Sequence, residues 1–463
     1  MKKKFIQATL AAAVLTIASS SALQAQPTLI AKGLLTGSRA GSYTDLSGLK
    51  GNLENGVPAN LLGGLGSGIA HVSGDRFLAL PDRGPNAVSF DAAVDDTVSY
   101  INRFHTVKMN LKPNQGAGLP FTIEPELEST TLLSSLTPLV YGSGAGLGVG
   151  KGAPKQNNLF FHYFTGRSDN FDPKRNSGDG NDARFDTESI RVSNDGLSVF
   201  ISDEYGPYVY QFLRFGGIRL RTFTLPSKFF VTKLSPMGAT EISDNTIGRT
   251  ANKGMEGIAI TPDGRTLVGI MQNALIQDAA QGGDAANLLR IVTIDIASGR
   301  TTHEYAYVLT SGSGVSEIVA LNNHEMLVDE RDGKGLGDDS KAKIKQVFKI
   351  DLEGATDVSK MEGLEAASHA VAKTVFLDIV QTLTNNGFTS TQIPAKIEGL
   401  AFGPDVATKS GVLHTLWVAN DNDFLQDVDG PNTNPNQFFV FGFTDADLKG
   451  SKYVPQQRFG FLE

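Results

Sequence analysis

Apolar residues in this chain gather in short runs of β-branched and aromatic side chains. The clearest are Val72 to Leu80, Ile190 to Ile201, Ile258 to Ile270, Ile291 to Ile296, Ile318 to Val328 and Leu413 to Val418. Turn-forming residues lie within or between them, in Ser73-Gly-Asp, Asn194-Asp-Gly, Pro262-Asp-Gly-Arg and Ala297-Ser-Gly-Arg. Each turn offers residues that tolerate positive φ, so the pattern predicts β-hairpins. A lone hairpin is marginal in water, and a chain built from many must pack them together. The most helix-like stretch is Lys360 to Thr384, with apolar residues at Leu364, Val371, Val375 and Ile379.

The hairpins repeat a phrase. It reads Glu188-Ser-Ile-Arg-Val-Ser-Asn-Asp-Gly, Glu256-Gly-Ile-Ala-Ile-Thr-Pro-Asp-Gly and Glu398-Gly-Leu-Ala-Phe-Gly-Pro-Asp, with a looser copy at Glu317-Ile-Val-Ala-Leu. A degenerate copy, Gly66-Ser-Gly-Ile-Ala-His, opens on no acid. The second strand of each copy closes on polar residues: Asp82-Arg83, Asp203-Glu204, Gln272-Asn273, Glu330-Arg331-Asp332 and Asp421-Asn422-Asp423. Repeated strand units arranged around an axis bury their faces and leave only short edges, which is the β-propeller solution. The glutamates are 68, 61 and 81 residues apart, more than the roughly 40–50 of compact propeller repeats, so long loops are expected. Five copies are recognisable. The wide gap between the first copy and Glu188 leaves room for another, so the expectation is an all-β propeller of six blades, or seven.

The 463 residues open on Met1-Lys-Lys-Lys, an apolar stretch from Phe5 to Ile17 and small residues up to Ala25. That is the layout of a bacterial secretory signal peptide over residues 1–25, with one propeller domain over 26–463. The expected location is therefore periplasmic or secreted. No later stretch is apolar for long enough to span a membrane. Cysteine is absent, which removes disulfides, thiolate ligands and a thiol nucleophile. A net charge of −8 lacks the basic character of nucleic-acid binding. The expectation is a monomer acting on a small molecule. The glycine-dense stretch Gly142 to Gly152 has no βαβ unit around it, so it reads as a turn and not as a dinucleotide fingerprint.

In a propeller the first strand of each blade lines the central channel. The repeated acids should therefore converge at one mouth, where carboxylates repel one another unless a cation or substrate compensates them. An all-oxygen set suits Ca²⁺. The candidate metal ligands are Glu188, Glu256, Glu317, Glu398, Asp82, Asp203 and Asp421. Asp195 and Asp263, in Asn-Asp-Gly and Pro-Asp-Gly, are turn residues. Arg83 and Arg331 stand beside acids and could form ion pairs or recognise an anion. Glu204, Glu330 and His71 are candidate general bases. The motifs of serine hydrolases, zincins and P-loop enzymes are missing.

Several of these segments resemble the bacterial family called esterase-like activity of phytase. They are Phe185-Asp-Thr-Glu-Ser-Ile-Arg-Val, Ile201-Ser-Asp-Glu-Tyr-Gly-Pro-Tyr-Val-Tyr-Gln-Phe and Asn252-Lys-Gly-Met-Glu-Gly-Ile-Ala-Ile-Thr-Pro-Asp-Gly. Leu78-Ala-Leu-Pro-Asp-Arg-Gly-Pro-Asn, Leu327-Val-Asp-Glu-Arg-Asp and Lys396-Ile-Glu-Gly-Leu-Ala-Phe-Gly-Pro-Asp extend the likeness from about residue 60 to 445. The resemblance implies a β-propeller, export, and hydrolysis of phosphate or other esters. Combined with the acids, it leads to the expectation of a calcium-dependent hydrolase of phosphate or carboxylic esters. A non-catalytic binding propeller with structural calcium is the alternative, favoured by the long loops 157–184 and 425–437, and a lactonase- or sugar-dehydrogenase-like propeller is another.

Overall fold

The computed structural model describes residues 26–147, 150–310, 312–409, 411–428, 430–431 and 433–459. The expected signal peptide and part of the glycine-dense stretch lie outside them. Five four-stranded antiparallel sheets form the blades. Blade I comprises Gly68–Ser73, Arg76–Leu80, Arg103–Pro113 and Phe121–Leu132, and blade II comprises Thr187–Val192, Ser198–Asp203, Tyr208–Leu213 and Arg219–Thr224. Blade III comprises Met255–Ile260, Thr266–Met271, Leu288–Asp295 and Arg300–Val308. Blade IV comprises Gly314–Ala320, Glu325–Arg331, Lys345–Asp351 and Lys373–Asp378. Blade V takes Lys396–Thr408, Gly411–Asp421 and Asn436–Phe443, and its outermost strand is Thr28–Leu35 from the start of the chain. Pairing of Thr28 with Gly442 through Leu35 with Asn436 ties the two ends of the propeller together.

The inner strands touch in the order I, II, III, IV, V and back to I, so the ring closes at five blades. The expected six or seven is corrected. The gap before Glu188 holds the two outer strands of blade I and a long excursion, whose short ribbons pair Ser134–Ser135 with His162–Tyr163 and Val140–Tyr141 with Gly146–Leu147. These ribbons add no blade. The helix-like stretch after Lys360 is also corrected. It divides into the short helix Gly363–Ala367, the outer strand Lys373–Asp378 of blade IV and the helix Ile379–Asn385. Val375 serves that strand, where a sheet neighbour outweighs the local helical spacing. No helix of the described residues is long and apolar enough to cross a membrane.

The turns follow their chemistry. Asp195 accepts from Leu197 N and from Ser193 Oγ, Asp263 accepts from Arg265 N, and Gly196 and Gly264 both adopt φ of 71°. Apolar cores fill the gaps between neighbouring blades. Trp417 of blade V, for example, is buried against Phe77 of blade I at 4.6 Å between ring centroids. At the axis, inner strands approach too closely for side chains in places. A Cβ on Gly68 would lie 2.8 Å from Glu188 O, and one on Gly257 would lie 2.8 Å from Ile318 N. This explains the small residue that follows the glutamate in the repeat.

Five blades leave a narrow channel, and the protein blocks it at mid-height. Arg191 of blade II donates to Ile69 O and Ile318 O and pairs with Glu317 at 2.9 Å, while Ser189 Oγ donates to the same carboxylate. The far end is covered by the C-terminal tail. Arg458 donates to His71 O, Val192 O and Ser193 O, and Gln457 N to Pro262 O, so the tail spans blades I to III.

Candidate functional site

The strand register determines which acids meet. In blades II, III and V the glutamate is the extra residue of a β-bulge at the start of the inner strand: Glu188, Glu256 and Glu398. A bulge re-aims the side chain it carries, here toward the channel mouth. Blade IV breaks the pattern. Its bulge residue is Ser316, and Glu317 takes the next position, the one occupied by Gly257 and Gly399 elsewhere. Glu317 therefore reaches the mid-channel Arg191 pair and leaves the predicted ligand ring. Burial raises its pKa to about 7 despite Arg191 and Ser189.

The same register aligns the ends of the second strands. Asp82, Glu204, Gln272, Arg331 and Asp421 occupy equivalent positions and share one side of their strands. The residues just before them point away, because side chains alternate along a strand. That removes two candidates. Asp203 accepts the amides of Asp186, Tyr205 and Gly206. Glu330 accepts from Tyr307 and Thr310 N and pairs with Lys373, whose charge helps hold its pKa low against burial. Neither stands free to bind a metal or take a proton. His71 is also displaced. It lies at the far end of the inner strand of blade I, bonded to Gly74 O, beside a cavity of about 390 Å³ lined by Ala70, Val319, Phe402, Tyr453 and the tail.

Eight carboxylates gather at the mouth: Asp82, Asp186, Glu188, Glu204, Glu256, Glu398, Asp421 and Asp423. Two groups are tight enough to share an ion, with oxygens within 4.8 Å of one another: Asp82, Asp421 and Asp423, and Asp186, Glu188 and Glu204. The first already contains a cation, since the Lys396 ammonium pairs with Asp421 at 2.8 Å and also with Asp423. That ammonium draws the pKa of Asp421 below normal although burial opposes it. In Asp82, burial and the Asp421 charge win, and the pKa stands well above normal.

The second group is far less compensated. Arg83 pairs with one oxygen of Asp186 at 2.5 Å, while Asp186 Oδ1, Glu204 Oε1 and the neighbouring Glu256 Oε2 are buried without a hydrogen-bond partner. Burial, reinforced by Glu256, Asp186 and Glu204, raises the Glu188 pKa strongly. Burial and Asp186 raise that of Glu204, and burial with Glu204 and Glu398 raises that of Glu256. Glu398 stands apart from this group, paired with Arg331, which also donates to Ser316 Oγ at 2.7 Å.

Asp186, Asp423, Lys396 and Lys253 belong to the mouth but were not singled out in the sequence. The usable signal was alternation. Asp186 is two residues from Glu188, Lys396 two from Glu398 and Asp423 two from Asp421, spacings that return a strand side chain to the same face. A pocket of about 340 Å³ opens beside the mouth between blades III and IV, lined by Lys253, Gln272, Asn273, Arg331 and the glycines of two loops.

An acid-rimmed, internally plugged five-bladed propeller is the class defined by this architecture. The family described as phytase-like, esterase-like activity of phytase, matches residues 60–424, and the chain belongs to it. A protein of Arthroderma benhamiae described as an uncharacterized secreted protein is 30% identical over 315 residues, 61% of this chain and 59% of its own length. The chain thus spans about three fifths of that relative. Among solved structures, aldose sugar dehydrogenase of Streptomyces coelicolor aligns at a TM-score of 0.32 and 12% identity over 88% of this chain and 84% of its own. Hydrazine synthase of Kuenenia stuttgartiensis aligns at 0.31 and 12%, over 84% and 87%. Likeness at that level carries no chemistry across.

Proposed function

We propose that the protein is an exported, calcium-dependent hydrolase of phosphate or carboxylic esters that works at the acidic mouth of the propeller. The observation that carries this reading is the set of buried carboxylate oxygens, Asp186 Oδ1, Glu204 Oε1 and Glu256 Oε2, left without donors. Unpaired buried acceptors are costly, and an all-oxygen donor set matches the preference of a hard cation. Asp186, Glu188 and Glu204 would hold the ion, with Glu256 beside them. When bound, calcium would supply Lewis acidity toward the ester oxygen.

The chain's own groups supply the remainder. Glu204 would offer the ion one oxygen, which leaves the other placed to accept a proton from an attacking water. Arg331 presents a charge between Glu398 and the adjacent pocket, where it can stabilise an anion. Arg83 holds Asp186 and so orients a ligand to the ion. Export is supported by the basic, then apolar, then small-residue start of the chain and by the description of the fungal relative as secreted.

The test is turnover of p-nitrophenyl phosphate and p-nitrophenyl acetate across about pH 5–9, the range of carboxylate and histidine bases. Hydrolysis that is lost with chelator, restored by calcium and abolished in Glu204→Gln is expected. Calcium-loaded protein that turns over neither ester would replace this reading with a binding propeller whose calcium is structural.

A further inference from the structure

The cations around the mouth are almost all taken. Arg83 pairs with Asp186, Arg331 with Glu398, Lys345 with Asp332, Lys373 with Glu330, and Lys396 with Asp421 and Asp423. Lys253 is the exception. Among the described residues no hydrogen bond or ion pair engages its ammonium, yet it lines the pocket between blades III and IV and its field lowers the Glu204 pKa against burial. Its backbone is held beside Glu204 by close packing, since a Cβ on Gly254 would lie 2.2 Å from Glu204 O.

The rest of that pocket is built to receive a polar group. The Nε of Arg331 bonds Ser316 and one Nη bonds Glu398, while among the described residues no hydrogen bond engages the other Nη of this cavity-lining side chain. Asp332 brings no net charge, because the buried Lys345 pairs with it at 2.5 Å. Gly312, Gly314 and Gly333 leave open space where a side chain would stand, so backbone forms the wall. That wall is braced from behind by Glu330, which accepts from Thr310 N and Ser313 Oγ. This gives the predicted base Glu330 a positioning role.

We infer that the pocket is an oxyanion subsite, in which Lys253 and the free arm of Arg331 bind a phosphate or carboxylate group next to the carboxylates of Asp186, Glu188 and Glu204. That the bound group belongs to a substrate rests on the hydrolase reading; the binding itself does not. An ester carrying a second anionic group would be held there with its scissile bond toward Glu204, whereas a neutral ester would lack this anchor.

The probes are inorganic phosphate and acetate, titrated calorimetrically into calcium-loaded full-length protein dialysed free of excess calcium. Saturable binding of one or both is expected, and which ion binds tighter separates phosphate from carboxylate recognition. Lys253→Met should weaken it at least about tenfold, as expected for loss of a charged hydrogen bond, while Lys409→Met, an exposed lysine on blade V, serves as control. Failure of both ions to bind, or equal affinity in Lys253→Met, overturns the subsite. Binding without ester turnover would retain the subsite and reject the hydrolase. Calcium-dependent turnover with an unchanged KM for anionic esters in Lys253→Met would do the reverse.

Discussion

Glu188→Gln tests the site most sharply, because its effect on stability should differ with and without calcium. The oxygens of Asp186, Glu188 and Glu204 lie within 4.8 Å of one another. At an effective dielectric of about 20, each pair of full charges at that separation repels by about 3.5 kcal/mol. Replacing Glu188 removes two of the three pairs, roughly 7 kcal/mol if all were ionised. The calcium-free protein avoids most of that repulsion by holding protons, at a cost of about 1.4 kcal/mol per unit of raised pKa. The realised gain at about pH 7.5 should therefore be roughly 1–3 kcal/mol in chelator. With calcium that gain should shrink by at least about 1.4 kcal/mol, because the variant loses a charged ligand and with it at least about tenfold in affinity. Guanidinium unfolding of both proteins in EDTA and in millimolar calcium reads both quantities. A variant less stable than wild type in EDTA, or equally stabilised by calcium, would refute the argument that these carboxylates are mutually repelling ligands.

Glu317→Gln should behave oppositely, although Glu317 belongs to the same sequence repeat. It leaves the buried Arg191 guanidinium without its carboxylate, so a loss of about 3 kcal/mol is expected in denaturant unfolding, with the calcium response retained. A second expectation concerns pH. The folded pKa values of Asp82, Glu188, Glu204, Glu256 and Glu398 are raised above their unfolded ones, so the stability each contributes at low pH is lost as pH rises from the unfolded value to the folded one. Asp421 alone among the shifted mouth acids has the opposite sign. Calcium-free protein should thus lose stability as pH rises above the ordinary carboxylate range, about pH 4, and calcium should flatten the slope. A slope unaffected by calcium would count against the site.

Much of the architecture was legible in the chain. The hairpins, the turn role of Asp195 and Asp263 and the five repeat copies follow from residue alternation and from glycine at positive φ, both local properties. Chain length overstates the blade count, which is five. The residues before Glu188 form the outer strands of blade I and ribbons too short to be a blade, and sequence distance does not distinguish these. The convergence of Glu188, Glu256, Glu398, Asp82 and Asp421 on one mouth also followed from the repeat, since equivalent inner strands of a propeller must meet at the axis.

Register and partners were decided only in three dimensions. A single residue of bulge offset in blade IV put Ser316 in the ring and sent Glu317 to mid-channel, a difference that the phrase Glu317-Ile-Val-Ala hides. Strand alternation turned Asp203 and Glu330 away from the mouth and Glu204 and Arg331 toward it. The compensation of charge was equally tertiary. Lys396, Lys345 and Lys373 neutralise particular acids, while the group of Asp186, Glu188 and Glu204 and the lone Lys253 are left over. The sequence alone determined that acids would crowd one end of a propeller, because periodicity is carried by the residues themselves. Which acids remain uncompensated depends on distances between blades, and those exist only once the ring has closed.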